Sequence, residues 1–219
     1  SASISIFWAL IEVTVFTVFY RYAQNSALHM IGLTLGQAVS YVWIAQVMVP
    51  LQPMSIDGEL LSQIVSGNVG VALCRPLSLY GHWFAHTAAA RLGAVPMRGI
   101  LTVLAGLLVP ASIHLSAPAS PEGFLLFMLS ALAAFLLCTS YGMLVTAVRL
   151  NITWGEGPTY MLLLVSGVLS GGYLPLQLWP DALQGLLRYQ PFAGYLDIPA
   201  RLYVGSMAPA AGATNATSR

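Results

Sequence analysis

Lysine is absent from this chain; all eight basic residues are arginine. That removes Schiff-base chemistry and the lysine that a phosphate-binding P-loop requires. No Gly-x-x-x-x-Gly-Lys-Ser/Thr run occurs anywhere, so the chain does not bind ATP through a P-loop of its own. Charge of either sign is scarce, at 7% of 219 residues, where a soluble domain carries about 25%. The formal net charge is +1, which gives no basic field for nucleic acid. There are two cysteines, Cys74 and Cys138, too few for a disulfide framework. The first residues hold no basic n-region and no small-residue cleavage site, so the start reads as a membrane span and not as a signal peptide.

What the chain does have is apolar length. Hydrophobic residues make up 58% of it, which places it in the helical membrane class. The expected fold is all-α, a polytopic bundle with five visible spans at about residues 4–20, 28–51, 94–115, 123–148 and 159–178, within a single transmembrane domain covering 1–219. A helix needs about 20 apolar residues to cross a bilayer. Glu12 in the first span must face the bundle or an end, because a carboxylate in lipid is costly. Gly32 and Gly36 in the second span, and Gly167 and Gly171 in the fifth, are small residues that let helices approach closely. Beyond the fifth span, prolines at 175, 180, 191 and 199 divide the chain into pieces too short to cross. Trp179, Tyr189, Tyr195 and Tyr203 suit an interface, so residues 180–206 read as outer interfacial helices.

Residues 53–98 form the one long mixed interval before the last spans. Ser55 or Asp57 can cap a helix, with Glu59 in its first turn. Ile56, Leu60, Leu61 and Ile64 recur at helical spacing, while Asp57, Glu59 and Gln63 take other faces. Arg75-Pro76 breaks the chain, and an amphipathic piece over 77–92 leads to the third span. With this interval inside, the chain starts inside and ends outside. Arg75, Arg91, Arg98 and Arg149 then lie inside against Arg21, Arg188 and Arg201 outside, the expected direction of bias. Asp57, Glu59, Gln63 and Arg75 are candidates for a surface that a soluble partner grips.

Catalytic readings are thin. His82 and His86 share a helical face, but His-Trp-Phe-Ala-His lacks the glutamate of a zinc-protease helix and no third ligand lies near. Ser170 sits in an apolar span without a Gly-x-Ser-x-Gly elbow. No catalytic or metal residue is assigned. An intramembrane hydrolase or metal enzyme, and a membrane scaffold without transport, are the alternatives to a transport role.

The order of motifs resembles the permease subunit of type-2 ATP-binding-cassette exporters, in their bacterial branch. It is carried by Gly36-Gln37-Ala-Val-Ser-Tyr41, by Asp57-Gly-Glu59 through Ser66-Gly67, and by Leu73-Cys74-Arg75-Pro76. Later come Gly172-Tyr-Leu-Pro-Leu176, Trp179-Pro180, and Gln190-Pro-Phe192 through Ile198-Pro199. The resemblance implies an ATP-driven exporter of two permeases, as a homodimer or with a paralogue, in the bacterial inner membrane and its lipid. It also implies two separate ATPase subunits that hold ATP and Mg, so that this chain carries no cofactor. It makes the helix near 56–65 a coupling helix within a cytosolic segment, 53–93. The family pattern has an elbow helix before the first span and a sixth span after the outer helices. Neither is visible, so the chain reads as a fragment.

Overall fold

The structure is a computed structural model, and it describes residues 2–24, 34–70, 74, 78–110, 113–152, 156–173, 176 and 179–207. Among these residues there is helix and no strand. The elements are α1 (Ala2–Gln24), α2 (Leu35–Met48, prolonged by a 3-10 turn Val49–Leu51), α3 (Gly58–Val65), α4 (Leu79–Leu108), α5 (Pro121–Asn151), α6 (Gly157–Leu169), α7 (Asp181–Tyr189), a 3-10 segment Pro191–Tyr195, and α8 (Asp197–Val204). Within α1 the stretch Ser3–Tyr20, and α4 and α5 in full, are long and apolar enough to cross a membrane; α2 with its 3-10 turn and α6 are shorter apolar helices. Phe7, Val15, Leu104, Leu108, Leu125 and Met161 are exposed. Large apolar side chains presented outward on apolar helices are what a lipid-facing surface requires. The all-α polytopic class expected from composition is what the chain adopts.

Helix α2 is the hub. Thr34 accepts from the Gln37 backbone N–H, and the Gln37 side chain accepts from the Thr34 N–H. This capping box fixes where the helix starts. From Ala38 to Gln46 every residue is buried, so α2 is enclosed by α1, α4 and α8. Its polar side chains all have partners. Gln46 Nε2 donates to Glu12 at 3.2 Å, so Glu12 faces the bundle. Trp43 Nε1 donates to the Ile113 carbonyl at 2.9 Å, and Ser40 Oγ accepts from the Ser116 N–H.

Two expectations change. Helix α4 is continuous for 30 residues through Pro96, joining the amphipathic piece to the third span. Proline removes one intrahelical bond, and packed neighbours make that tolerable in membrane helices. The helix also ends at Leu108, not 115, because the chain folds back: Leu115 N–H donates to the Gly106 carbonyl at 2.8 Å. The glycines that bring helices together here are Gly99, whose added Cβ would lie 3.3 Å from Val47, and Gly106, whose Cβ would lie 3.0 Å from the Trp43 ring. At Gly36 a Cβ would meet nothing within 4 Å, and at Gly167 only the Tyr173 ring at 3.6 Å. Gly32 lies outside the described residues.

The end of α6 is the second change. Thirteen residues rise about 20 Å, short of an apolar core about 30 Å thick. The helix stops at Ser170, and Gly171 turns the chain at φ 84°, a left-handed conformation that suits glycine. The chain then returns through α7 and the 3-10 segment into α8, which packs most extensively against α5 and also against α2. Asp197, Pro199, Ala200, Tyr203 and Val204 are buried, so α8 is a packing element of the bundle. Asp197 organises it. Its Oδ1 accepts from Tyr41 Oη at 3.0 Å and from the Leu176 N–H at 3.4 Å, and Arg201 Nη1 donates to its Oδ2 at 3.5 Å. The Asp197 N–H donates to the Ser170 carbonyl, and Tyr41 Oη also lies 3.3 Å from the Gly171 carbonyl. Bonds from a phenol to a carboxylate contribute about 1.5–3 kcal/mol. Tyr41→Phe should therefore lower the thermal midpoint of the purified protein in detergent clearly. The same change made in an Asp197→Ala background should cost much less. Equal losses in both backgrounds would show that the pair is not coupled.

Candidate partner-docking site

The segment between α2 and α4 is built from the end of α2 outward. Pro50 and Pro53 stop helical hydrogen bonding, and the 3-10 turn delivers the chain to Asp57. Asp57 caps α3, as one of the two expected cap residues: its Oδ1 accepts from the Glu59 N–H at 2.9 Å. Glu59 in the first turn adds a favourable charge at the positive end of the helix dipole. Gly67, at φ 75°, turns the chain beyond the last residues of α3.

This helix is not loose. Leu60 is 2% exposed and packs with Trp83 of α4 and Met143 of α5, flanked by Ile56 and Ile64. Trp83 Nε1 donates to Gln63 Oε1 at 3.3 Å. His86, one turn further along α4, places Nε2 3.0 Å from Glu59 Oε2 and Nδ1 3.8 Å from Asp57 Oδ2. Three of the four residues expected to form the docking surface are therefore brought together, and all three contact or approach α4 of the same chain. Arg75 lies outside the described residues. Away from these contacts Ser62, Val65 and the C-cap Ser66 are exposed, Val65 at 71%, and Glu59 is exposed at its edge.

The partners of α3 are the residues that sequence reasoning set aside. His86 was weighed with His82 as half of a metal site and not assigned, and Trp83 fell within the amphipathic piece over 77–92. The available signal was spacing: Trp83 and His86 are three apart on α4, as Glu59 and Gln63 are four apart on α3. Register between two helices far apart in sequence is not visible from either alone. His82 is exposed, and among the described residues no group of three His, Cys, Asp or Glu could hold a metal ion. Ser170 is fully buried; its Oγ donates to the Gly167 carbonyl at 2.7 Å and accepts from Gln52 Nε2 at 2.8 Å. An amide and a carbonyl offer no base to activate it.

The molecule so described is a helical, multi-pass membrane protein with a short amphipathic helix clamped to the protruding end of a long span. A family model described as ABC-2 family transporter protein matches residues 6–218, and the chain belongs to that family: it is the membrane permease of an ABC transporter. The family implies an ATP-binding-cassette ATPase as its partner. No curated protein matches the chain, and no solved structure matches it.

The clamp predicts a mutational pattern. Leu60→Ala removes a buried side chain, a change that costs about 2–5 kcal/mol in packed sites. It should release α3 from α4, seen as faster amide hydrogen exchange over 58–65 with α2 and α5 unaffected. Ser62→Ala, on the exposed face, should leave exchange unchanged. Equal protection in both variants would mean that α3 is not held by this cluster.

Proposed function

We propose that this chain is the permease half of an exporter in which a separate ATPase hydrolyses ATP and α3 is the coupling helix. In this reading α3 and the N-terminal end of α4 lie in the cytosol of a bacterial cell, and two permeases pair across the inner membrane. ATP and Mg belong to the ATPase. The observation that carries the reading is the clamp of Leu60 on Trp83 and Met143. A helix bound to two others cannot be pushed without moving them. Closure of the ATPase dimer against α3 would then shift α4 and α5 as a unit, the rigid-body kind of transition that opens and closes membrane sites.

The reading divides the expected docking residues by role. Gln63, and the His86-facing side of Glu59 and Asp57, transmit force inward; Ser62, Val65, Ser66 and the outer edge of Glu59 receive it. Val65 is a large apolar residue exposed at the end of the helix, the kind of anchor that fills a pocket in a partner. The re-entrant residues after Gly171 would close the side of the bundle away from α3.

The test is association and coupling. The full-length permease should co-purify with an ATPase encoded beside it. Val65→Arg should weaken that association by about tenfold or more, as loss of a buried anchor does. Glu59→Ala with Gln63→Ala should leave assembly largely intact but lower the stimulation of ATP hydrolysis by transported substrate. Absence of any bound ATPase contradicts the transport mechanism, and unchanged stimulation in the double variant contradicts the role of the clamp.

A further inference from the structure

A cleft of about 240 Å³ lies between the end of α2 and the first half of α4. It borders the clamp but is separate from the exposed face of α3. Thr87, Arg91, Ala94 and Arg98 line it from α4, at spacings of four, three and four, one stripe of a helix. Gln52, Ser55 and Asp57 line it from the other side. Two arginines in one cleft are unusual in a chain with eight basic residues in all.

Depth decides what the cleft can meet. The 30 residues of α4 rise about 45 Å, about 15 Å more than an apolar core needs. The excess lies at the end that carries His82, His86 and the α3 clamp, since the other end is the apolar run to Leu108. Arg91 therefore stands near the edge of the apolar core. Arg98 stands two turns, about 10 Å, deeper along α4, and its guanidinium points back toward that edge because side chains on a helix tilt toward its N-terminus. A cleft at this height on α4 is within reach of lipid headgroups.

Neither guanidinium is used up. Arg91 Nη1 donates to the Leu51 carbonyl and Arg98 Nη2 to Ser5 Oγ at 2.7 Å. A guanidinium carries five N–H donors. Arg98 Nε is shielded from solvent and has no hydrogen-bond partner, a costly state for a charged donor. Asp57 is the one carboxylate lining the cleft. It is turned to α3 and His86, and no ion pair joins it to either arginine among the described residues.

We propose that this cleft binds the phosphate of an anionic phospholipid, with Arg91 and Arg98 holding its oxygens and Gln52, Ser55 and Thr87 available to the rest of the headgroup. Planar guanidinium groups match phosphate oxygens two at a time, and basic pockets between membrane helices suit acidic headgroups. The acyl chains would run along the exposed apolar flank of α4. A lipid seated there touches both the end of α2 and the strut that carries α3.

Native mass spectrometry of the purified full-length protein tests this, with phosphatidylglycerol and phosphatidylcholine of identical acyl chains added in turn. Wild type should retain phosphatidylglycerol preferentially. Arg98→Gln should weaken that retention by about tenfold, the size of one charged hydrogen bond, and Arg98→Lys by less. Phosphatidylcholine retention should not change. Asp57→Asn still caps α3 and should strengthen phosphatidylglycerol retention, which keeps the test open if Arg98→Gln does not fold. Equal retention of the two lipids by wild type overturns the proposal. So does weaker or unchanged phosphatidylglycerol binding in Asp57→Asn. Displacement of the lipid by glycerol 3-phosphate at equal concentration also overturns it, because the site would then belong to a soluble anion.

Discussion

A buried carboxylate holds this fold together at its least regular place. Asp197 is 1% exposed, and a charge withdrawn from water is stable only when it is paired and hydrogen-bonded. Tyr41, the Leu176 N–H and Arg201 supply those partners. Each comes from a different part of the chain: the hub helix, the turn after α6, and the next turn of α8. The need to satisfy one side chain therefore fixes three segments at once. It also explains how α6 can end short of a full crossing. Backbone groups freed inside a membrane must find partners in the protein. The Ser170 carbonyl accepts from the Asp197 N–H, and Gln190 Nε2 donates to the Leu169 carbonyl at 2.7 Å.

The other end of the bundle follows the opposite logic. There α4 and α5, at 30 and 31 residues, are longer than an apolar core requires, and α3 binds them through an apolar seam flanked by polar pairs. Leu60, Trp83 and Met143 exclude water, while Gln63 and His86 set the register. Between the two ends stands α2, whose residues meet Asp197 through Tyr41 and Ser170 through Gln52. Arg91 ties the end of α2 to α4 through the Leu51 carbonyl. A push on α3 thus has a continuous packed route to α8, through elements that contact one another directly.

How much of this could be read in the sequence depends on the range of the interaction. Absence of charge, apolar length and the proline and glycine breaks are local, and they gave the all-α membrane class and the position of α3 with its Asp57 cap. The motif order gave the family. The amphipathic piece over 77–92 and the third span were read as separate because their composition differs, whereas the backbone of α4 runs unbroken through both. Gly171 was read as a packing residue; a Cβ there would lie 3.0 Å from Tyr41 Oη and 3.2 Å from Asp197 Cβ, and its left-handed turn was not foreseen. The Tyr41–Asp197 pair joins residues 156 positions apart. Its only local trace was a carboxylate in an apolar, aromatic stretch with arginine four residues on. Glu59 and Gln63 were proposed for docking because they are polar, but polarity does not say which way a side chain faces, and both meet α4.

The central claim is that α3 and α4 move together when the ATPase closes. In the full transporter, with Cys74 and Cys138 replaced, spin labels at Ser66 and Ala85 report the distance between α3 and α4; labels at Ser66 and Met161 report the distance between α3 and α6. Trapping the ATPase in its nucleotide-closed state should shift the second distance and leave the first unchanged. A shift in the distance between α3 and α4, or no change in either pair, would contradict the account.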